Sequence, residues 1–323
     1  METLAPDAAA DEEPMPVGGA SLPDIRAALA RTGERVEAVL SDLLHSHAAS
    51  GEIVRPERLL GAMRHGVLNG GKRLRPALVV EAAALFGVER SNPGLLRTAA
   101  ALECIHCYSL IHDDLPAMDD DDTRRGQPTV HVAFDEATAI LAGDALMTLA
   151  FQAVAEPETH PDTAVRIALV SRLAVASGIG GMAGGQMFDL AFEAEAPDEA
   201  ASRRMQAMKT GALIEAACGM GAIHAGASDS AQAALREYGL AIGLAFQLAD
   251  DILDETADAD ALGKAVGKDA DQGKATFVYF HGLDGARARL REEIERAHAA
   301  LAPFGSRAET LKGLATFVAE RDH

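Results

Sequence analysis

Two runs of aspartate carry most of the chemistry this sequence could perform. The first is Asp113-Asp114-Leu-Pro-Ala-Met-Asp119, which continues through Asp120, Asp121 and Asp122 to Thr123-Arg124-Arg125-Gly126. An acid run is ordinarily a solvated loop, but this one ends an apolar helical stretch that begins before Ala99. Pro116 has no N–H for the carbonyl of His112, so the helix must break or bulge there. Asp119, six residues after Asp113, lies off that helix face unless the irregularity brings it back. A distorted helix end presenting carboxylates is a metal-site geometry. In the second run, Phe246-Gln247-Leu-Ala-Asp250-Asp251-Ile-Leu-Asp254, Asp250 and Asp254 stand at i and i+4 and share one face. Two like charges about 4 Å apart, at an effective dielectric of about 20, repel by about 4 kcal/mol, so an apolar helix needs a cation to hold them. Oxygen donors without His or Cys favour Mg²⁺ over Zn²⁺, and Mg²⁺ typically bridges a few carboxylates to substrate phosphates.

Phosphate binders should then be present, and cations do stand beside both runs. Gly70-Gly71-Lys72-Arg73-Leu74-Arg75-Pro76 gathers three of them, and Arg124-Arg125 follows the first acid run directly. Lys209-Thr210 interrupts a stretch rich in Met and Ala, and Lys264, Lys268 and Lys274 lie in a Gly-rich segment past the second run. Each alone is an ordinary surface cation. Their placement beside the carboxylates marks them.

The elements that must position these residues are helices. Val36, Val39, Leu40, Leu43 and Leu44 recur at i, i+3, i+4, i+7 and i+8 as one apolar stripe. Ala-rich stretches at 94–112, 137–155, 162–177, 203–226, 229–254, 284–301 and 308–320 repeat the pattern, while β-branched alternation between hairpin turns is nearly absent. The fold class is therefore all-α: a large bundle with ligand sites built in its interior from facing helices. Asp24 and Asp229 fit N-caps, Pro56 a first turn, and Gly226 and Gly305 helix ends. Residues 1–21 read as a disordered acidic tail, and 22–323 as one domain.

The balance of 29 Lys+Arg against 49 Asp+Glu, a net charge of −20 over 323 residues, argues against extended polyanions as partners, whether nucleic acid or an anionic membrane surface. With 48% hydrophobic and 24% charged residues the chain suits a globular protein. No uninterrupted apolar run of about 18 residues argues for a membrane span, and no stable insertion is expected. The first residues lack a basic region followed by an apolar one, so no signal peptide is read there. The three cysteines are an odd number, and Cys104 and Cys107 are too close to staple distant loops, so reduced thiols and a cytoplasmic protein are expected.

GGKRLRP, DDLPAMDDDDTRRGQPT, GGQMFDL, KTGALI, FQLADDILD, LGK and GKAT, in this order, resemble the trans-isoprenyl diphosphate synthase family, most closely its bacterial farnesyl-forming branch, from about Leu22 to the C-terminus. The resemblance implies an all-α fold, a homodimer, and two aspartate motifs facing across a deep cavity. The implied reaction ionises an allylic diphosphate, dimethylallyl or geranyl, and joins isopentenyl diphosphate to the cation to give farnesyl diphosphate. It further implies three Mg²⁺ ions, with Mn²⁺ as a possible substitute: two on Asp113 and Asp119, a third on Asp250, with Asp114 and Asp254 in the same ligand set. Arg124 resembles the arginine on the allylic diphosphate, with Lys209 and Lys264 as further clamps. Lys72, Arg75, His106 and Arg125 resemble the holders of isopentenyl diphosphate. Thr210 and Gln247 would present oxygen dipoles to the cation, Lys274 matches a lysine of a closing loop, and Gln186 and Asp189 match a helix with a water-mediated metal role. Tyr108 and Ser109, five and four residues before Asp113, stand where the family sets product length, with a bulky residue as the floor.

Other patterns are set aside. Gly66 to Arg73 approaches a P-loop, but Arg73 stands where the Ser/Thr should be and a helical stripe precedes it. Asp258 to Asp269 mimics a calcium loop with Leu262 at a ligand position. Cys104 and Cys107 suit buried packing, and Met182, Met187, Met205 and Met208 core or cavity lining. Three alternatives stay open: a geranylgeranyl synthase, a terpene cyclase, which would not need the second diphosphate's cations, and a non-catalytic prenyltransferase subunit, which would not need both aspartate motifs.

Overall fold

A computed structural model describes residues 21–192, 197–261 (backbone alone from 257) and 276–320. The expected N-terminal tail and Lys264, Lys268 and Lys274 lie outside the described residues, but for Ser21.

Helix α1 (Leu22–Leu43) starts from a capping box in which Ser21 is the N-cap and Asp24 returns the bond from the third position, so the cap lies three residues before the aspartate first assigned to it. Asp229 is likewise the first helical residue of its helix, and the Ser228 hydroxyl accepts from Ala231 N at 3.4 Å. A side chain caps the turn that follows it, so a cap motif read from sequence slips easily by a few positions. Pro56 is the N-cap of α2 (Glu57–Val67), one position before the first turn expected of it, and Gly226 follows the end of α10 (Ala212–His224) as expected.

The centre of the bundle is α3 (Leu74–Ala84) and α4 (Pro93–Asp113), whose residues are buried along most of their length because both are apolar nearly all round. Around them pack α1, α6 (Glu136–Ala155), α7 (Thr163–Ser177) and α10. On the far side of α10 lies α11 (Asp229–Ala261), which packs in turn on α12 (Phe277–Ala300) and α13 (Glu309–Ala319). Shorter helices α5 (Val130–Ala133), α8 (Met182–Phe192) and α9 (Glu199–Gln206) complete the order, and a five-residue π-helical turn, Ala207–Gly211, joins α9 to α10. The strands among the described residues are β1 (Thr123–Arg124) and β2 (Gln127–Pro128), an antiparallel hairpin past the end of α4. The fold is all-α.

By length and mean hydropathy α6 and the stretch Thr163–Phe192 would each suffice to cross a membrane, though charged residues interrupt both, Asp144 in the first and Arg166, Arg172 and Asp189 in the second. Less than half of each is buried in the bundle, and Ile140, Leu141, Ile167 and Val175 remain exposed on α6 and α7. All three cysteines are free and buried, and loss of solvent pushes the thiols of Cys107 and Cys218 up to about 12.

His224, at the end of α10, is buried against α4. The Thr98 hydroxyl donates to Gly94 O at 3.1 Å and lies 3.1 Å from Nδ1 of His224, so the neutral ring donates to the hydroxyl oxygen. Burial, reinforced by His160, lowers this imidazole from 6.5 to about 4. Between those values the unfolded chain binds the proton and the folded chain does not, so the contribution is full above pH 6.5 and is lost as pH falls towards 4. We therefore expect His224→Gln to flatten the acid-side loss of stability, by up to about 3 kcal/mol, as read from urea denaturation at a series of pH values.

Candidate active site

The site begins where α4 fails. Leu115 N donates to His112 O, Met118 N to Leu115 O at 2.8 Å, and Asp119 N folds back to Asp113 O, also at 2.8 Å. Proline at 116 removes the regular bond, and the chain closes a compact loop that returns Asp119 beside Asp113. Burial raises the Asp113 carboxyl to about 6; Asp119 and Asp114 push the same way, while Lys209 and Arg124 oppose them. A carboxylate held so close to neutral pH is one that gains from a cation.

Adjacent aspartates do different work. Asp114, expected among the metal ligands, is 3% exposed and accepts Nε of Arg124 at 2.6 Å. A residue one step along a helix points about 100° away, which turns Asp114 from the cavity towards the hairpin. Its carboxylate thus anchors the arginine expected on the allylic diphosphate, which also reaches Asp121 at 3.4 Å. The second doublet repeats the division. Gly243, Gln247, Asp250 and Asp254 recur along one face of α11, and the position a Gly243 Cβ would take lies 3.0 Å from Cα of Gly211 in the π-helical turn. Asp251 points the other way: it is buried, accepts Gln247 Nε2 at 3.0 Å and Phe277 N at 2.8 Å, and so pins the start of α12. With its NH₂ held there, Gln247 keeps its carbonyl oxygen free of that contact. Asp251 is a residue sequence reading passed over; the doublet itself was the available signal. Asp254 is exposed.

Lys209 and Thr210 lie within the π-helical turn, where the wider backbone ring breaks the helical register. Lys209 Nζ meets Asp189 of α8 at 2.5 Å. Gln186, one turn earlier on α8, has both ends of its amide buried without a partner. Lys209, Thr210 and Gln186 line a cavity of about 330 Å³ together with Tyr108, Ser109, His112, Asp113 and the apolar Leu110, Met118, Met182, Leu190 and Leu213. Tyr108 stands edge-on to His112, with ring centres 5.7 Å apart.

A second cavity, of about 460 Å³, is cationic. Lys72, Arg73, Arg75 and Arg125 line it, and Arg75 and His106 line both cavities. The loop before α3 turns through Gly70 and Gly71 at φ +84° and +117°. A Cβ on Gly71 would lie 2.6 Å from the Arg125 guanidinium, which bonds Asn69 Oδ1 at 3.0 Å and Gly70 O. Arg75 reaches His106 Nε2 at 3.4 Å, and its own Nε is buried without a partner. Removal from water, and the charges of Arg75 and Arg125, lower His106 well below the usual imidazole range, so it is neutral at pH 7.

Among the described residues no three His, Cys, Asp or Glu side chains converge as a closed metal cage. Carboxylate oxygens at a cavity mouth, with Asp113 raised by burial, instead fit Mg²⁺ whose coordination is completed by phosphate oxygens and water.

The sequence model of the polyprenyl synthetase family matches residues 56–304. The chain is 48% identical over 266 residues to the farnesyl diphosphate synthase of Escherichia coli strain K12, covering 80% of this chain and 88% of that one. It is 39% identical over 307 residues to geranylgeranyl pyrophosphate synthase 9, chloroplastic, of Arabidopsis thaliana, covering 92% and 82%. A solved FPP/GFPP synthase from Zymomonas mobilis aligns with a TM-score of 0.81 at 40% identity, over 93% of this chain and 100% of that one.

The π-helical turn is held in place by contact with α8, since a Cβ on Gly185 would lie 2.2 Å from Lys209 N. Backbone cannot yield cheaply, so Gly185→Ala should lower stability by about 1–3 kcal/mol, seen as a lower urea midpoint at unchanged m.

Proposed function

The chain belongs to the polyprenyl synthetase family and is a prenyltransferase, and we propose that it makes farnesyl diphosphate by Mg²⁺-dependent condensation of isopentenyl diphosphate with dimethylallyl or geranyl diphosphate. The observation that carries this reading is the pair of adjoining cavities, one acid-mouthed and apolar within, the other cationic, that share Arg75 and His106. A reaction between two diphosphates, only one of which must ionise, needs that asymmetry.

In this reading residues 22–323 form one catalytic domain. Asp113, Asp119 and Asp250 would hold three Mg²⁺ ions against the allylic diphosphate, which bound Mg²⁺ would neutralise as a Lewis acid as the carbon–oxygen bond breaks. Arg124, steadied by Asp114, and Lys209, exchanging Asp189 for phosphate oxygen, add fixed positive charge on the same leaving group. The Thr210 hydroxyl and the Gln247 carbonyl turn oxygen dipoles towards the allylic cation. Leu110, Met118, Met182 and Leu213 keep water from it. Lys72, Arg75 and Arg125 hold isopentenyl diphosphate over neutral His106, so that its alkene carbon bonds to the cation. The proton lost from the adjacent carbon leaves to the departing diphosphate, and no side-chain base is required. Lys264 and Lys274 join as clamp and closing-loop cations.

Tyr108 supports farnesyl over geranylgeranyl as the product, because its ring, edge-on to His112, lines the apolar cavity five residues before Asp113, where it would serve as the floor. The cationic pocket would serve no purpose in a cyclase with a single diphosphate. The exposed apolar residues of α6 and α7, with Ile53 and Val54 in the loop before α2, favour a homodimer in which a second copy covers them, in a cytoplasmic enzyme.

The test is direct. Purified protein with Mg²⁺, labelled isopentenyl diphosphate and geranyl diphosphate should yield farnesyl diphosphate, and chelation of the metal should abolish it; no condensation with any allylic primer sinks the reading. Asp113→Ala and Asp250→Ala should each cut kcat by about 100-fold or more with little change in thermal midpoint. Tyr108→Ala should lengthen the product in the same chromatogram, and unchanged chain length would remove Tyr108 as the floor.

A further inference from the structure

Arg73 belongs to the cationic loop by sequence and lines the second cavity beside Glu103, yet its guanidinium is engaged by three neighbouring helices. It is 4% exposed, and its residue adopts φ +48°, the left-handed region that L-residues enter at a cost of about 1–2 kcal/mol. Nη1 donates to Glu103 Oε1 of α4 at 2.6 Å, and Nη2 donates to Glu37 Oε1 of α1 at 3.0 Å and to Val67 O, the last carbonyl of α2, at 2.7 Å. Its backbone carbonyl meanwhile accepts Ala77 N at 3.1 Å and opens α3. One residue thus ties four helices together, three by its side chain and α3 by its backbone, between Lys72 and the helix that carries Arg75. A backbone so placed persists only where its surroundings over-determine it, and three charge-assisted or carbonyl bonds do so here.

The charge arithmetic agrees with the geometry. Glu103, itself 2% exposed, and Glu37 compensate Arg73, so its charge is already matched by carboxylates within the scaffold. Glu103 also lies one turn before His106 and, further along α4, Asp113. The clamp therefore references the cationic loop to the same helix that carries the first carboxylate.

We infer that Arg73, held by Glu103 and Glu37, is a positioning residue for isopentenyl diphosphate: it fixes the strained loop conformation that sets Lys72 and Arg75 relative to α4 and does not itself bind the substrate. The inference rests on the assignment of the cationic cavity to isopentenyl diphosphate. A purely structural role would change stability and both substrates alike; a positioning role moves one Michaelis constant.

The experiment measures both Michaelis constants for Glu103→Gln and Glu37→Gln beside the unaltered protein. Glu103→Gln keeps the shape of the acceptor and removes its charge, and should raise KM for isopentenyl diphosphate about tenfold while changing KM for geranyl diphosphate less than about twofold. Glu37, with its side chain 41% exposed, is the variant that leaves the buried pair intact, and should raise the same constant about threefold. If Glu103→Gln does not fold, Glu37→Gln decides alone. Equal movement of both constants, movement of the geranyl constant only, or no movement in any folded variant overturns the inference. An unaltered protein that condenses neither primer overturns instead the function on which it rests.

Discussion

Carboxylates set at the mouth of an apolar cavity repel one another and lose hydration, and the rest of the structure is arranged around that cost. Asp113 shows it directly, its carboxyl raised to about 6 by burial and by its acidic neighbours. The chain answers with cations: Lys209 from the π-helical turn and Arg124 from the hairpin. Each aspartate doublet then divides labour by helical geometry. Asp113 faces the cavity and Asp250 shares one face of α11 with Gln247, whereas Asp114 and Asp251 face the scaffold and fix Arg124 and Gln247.

The backbone carries a second cost. Among the described residues, the non-glycine positions with positive φ are Arg73, Asp120 and Arg125, and all three sit in the loops that carry the cationic groups and carboxylates of the candidate site. Such conformations cost about 1–3 kcal/mol each and are kept where neighbouring contacts leave no alternative. Arg73 has its buried carboxylates, Arg125 its bonds to Asn69 and Gly70, and Asp120 N donates to Leu115 O at 3.2 Å. Close approach matters as much. Gly185 and Gly243 allow α8 and α11 to reach the π-helical turn that bears Lys209 and Thr210.

The net charge of −20 and the handling of two diphosphates are compatible because the two belong to different length scales. Acidic excess governs the field felt by an extended polyanion, while a local pocket is governed by the few groups within a Debye length or less. Lys72, Arg75 and Arg125 over a neutral His106 make such a pocket cationic whatever the total. The outer apolar faces of α6 and α7 follow from the same economy of design: they are too apolar for isolated surface helices and only partly used by the core.

Much was already determined by sequence alone. The 3.6-residue apolar period and the absence of β alternation decide an all-α bundle, because a helix that must bury a stripe leaves that stripe in its residues. Pro116 after the first doublet dictates a helix break, since a missing N–H cannot be supplied by any tertiary contact. The spacing of Asp250 and Asp254 places them on one face for the same local reason. Tertiary structure alone decided what no local rule contains: that Asp114 serves Arg124 and Asp251 serves Gln247, that Arg73 meets Glu103 and Glu37, and that Lys209 meets Asp189 of α8. Each of these pairs joins residues whose meeting depends on how helices cross and where the chain turns between them. Periodicity fixes which face a side chain occupies, but only packing decides which charge stands opposite it.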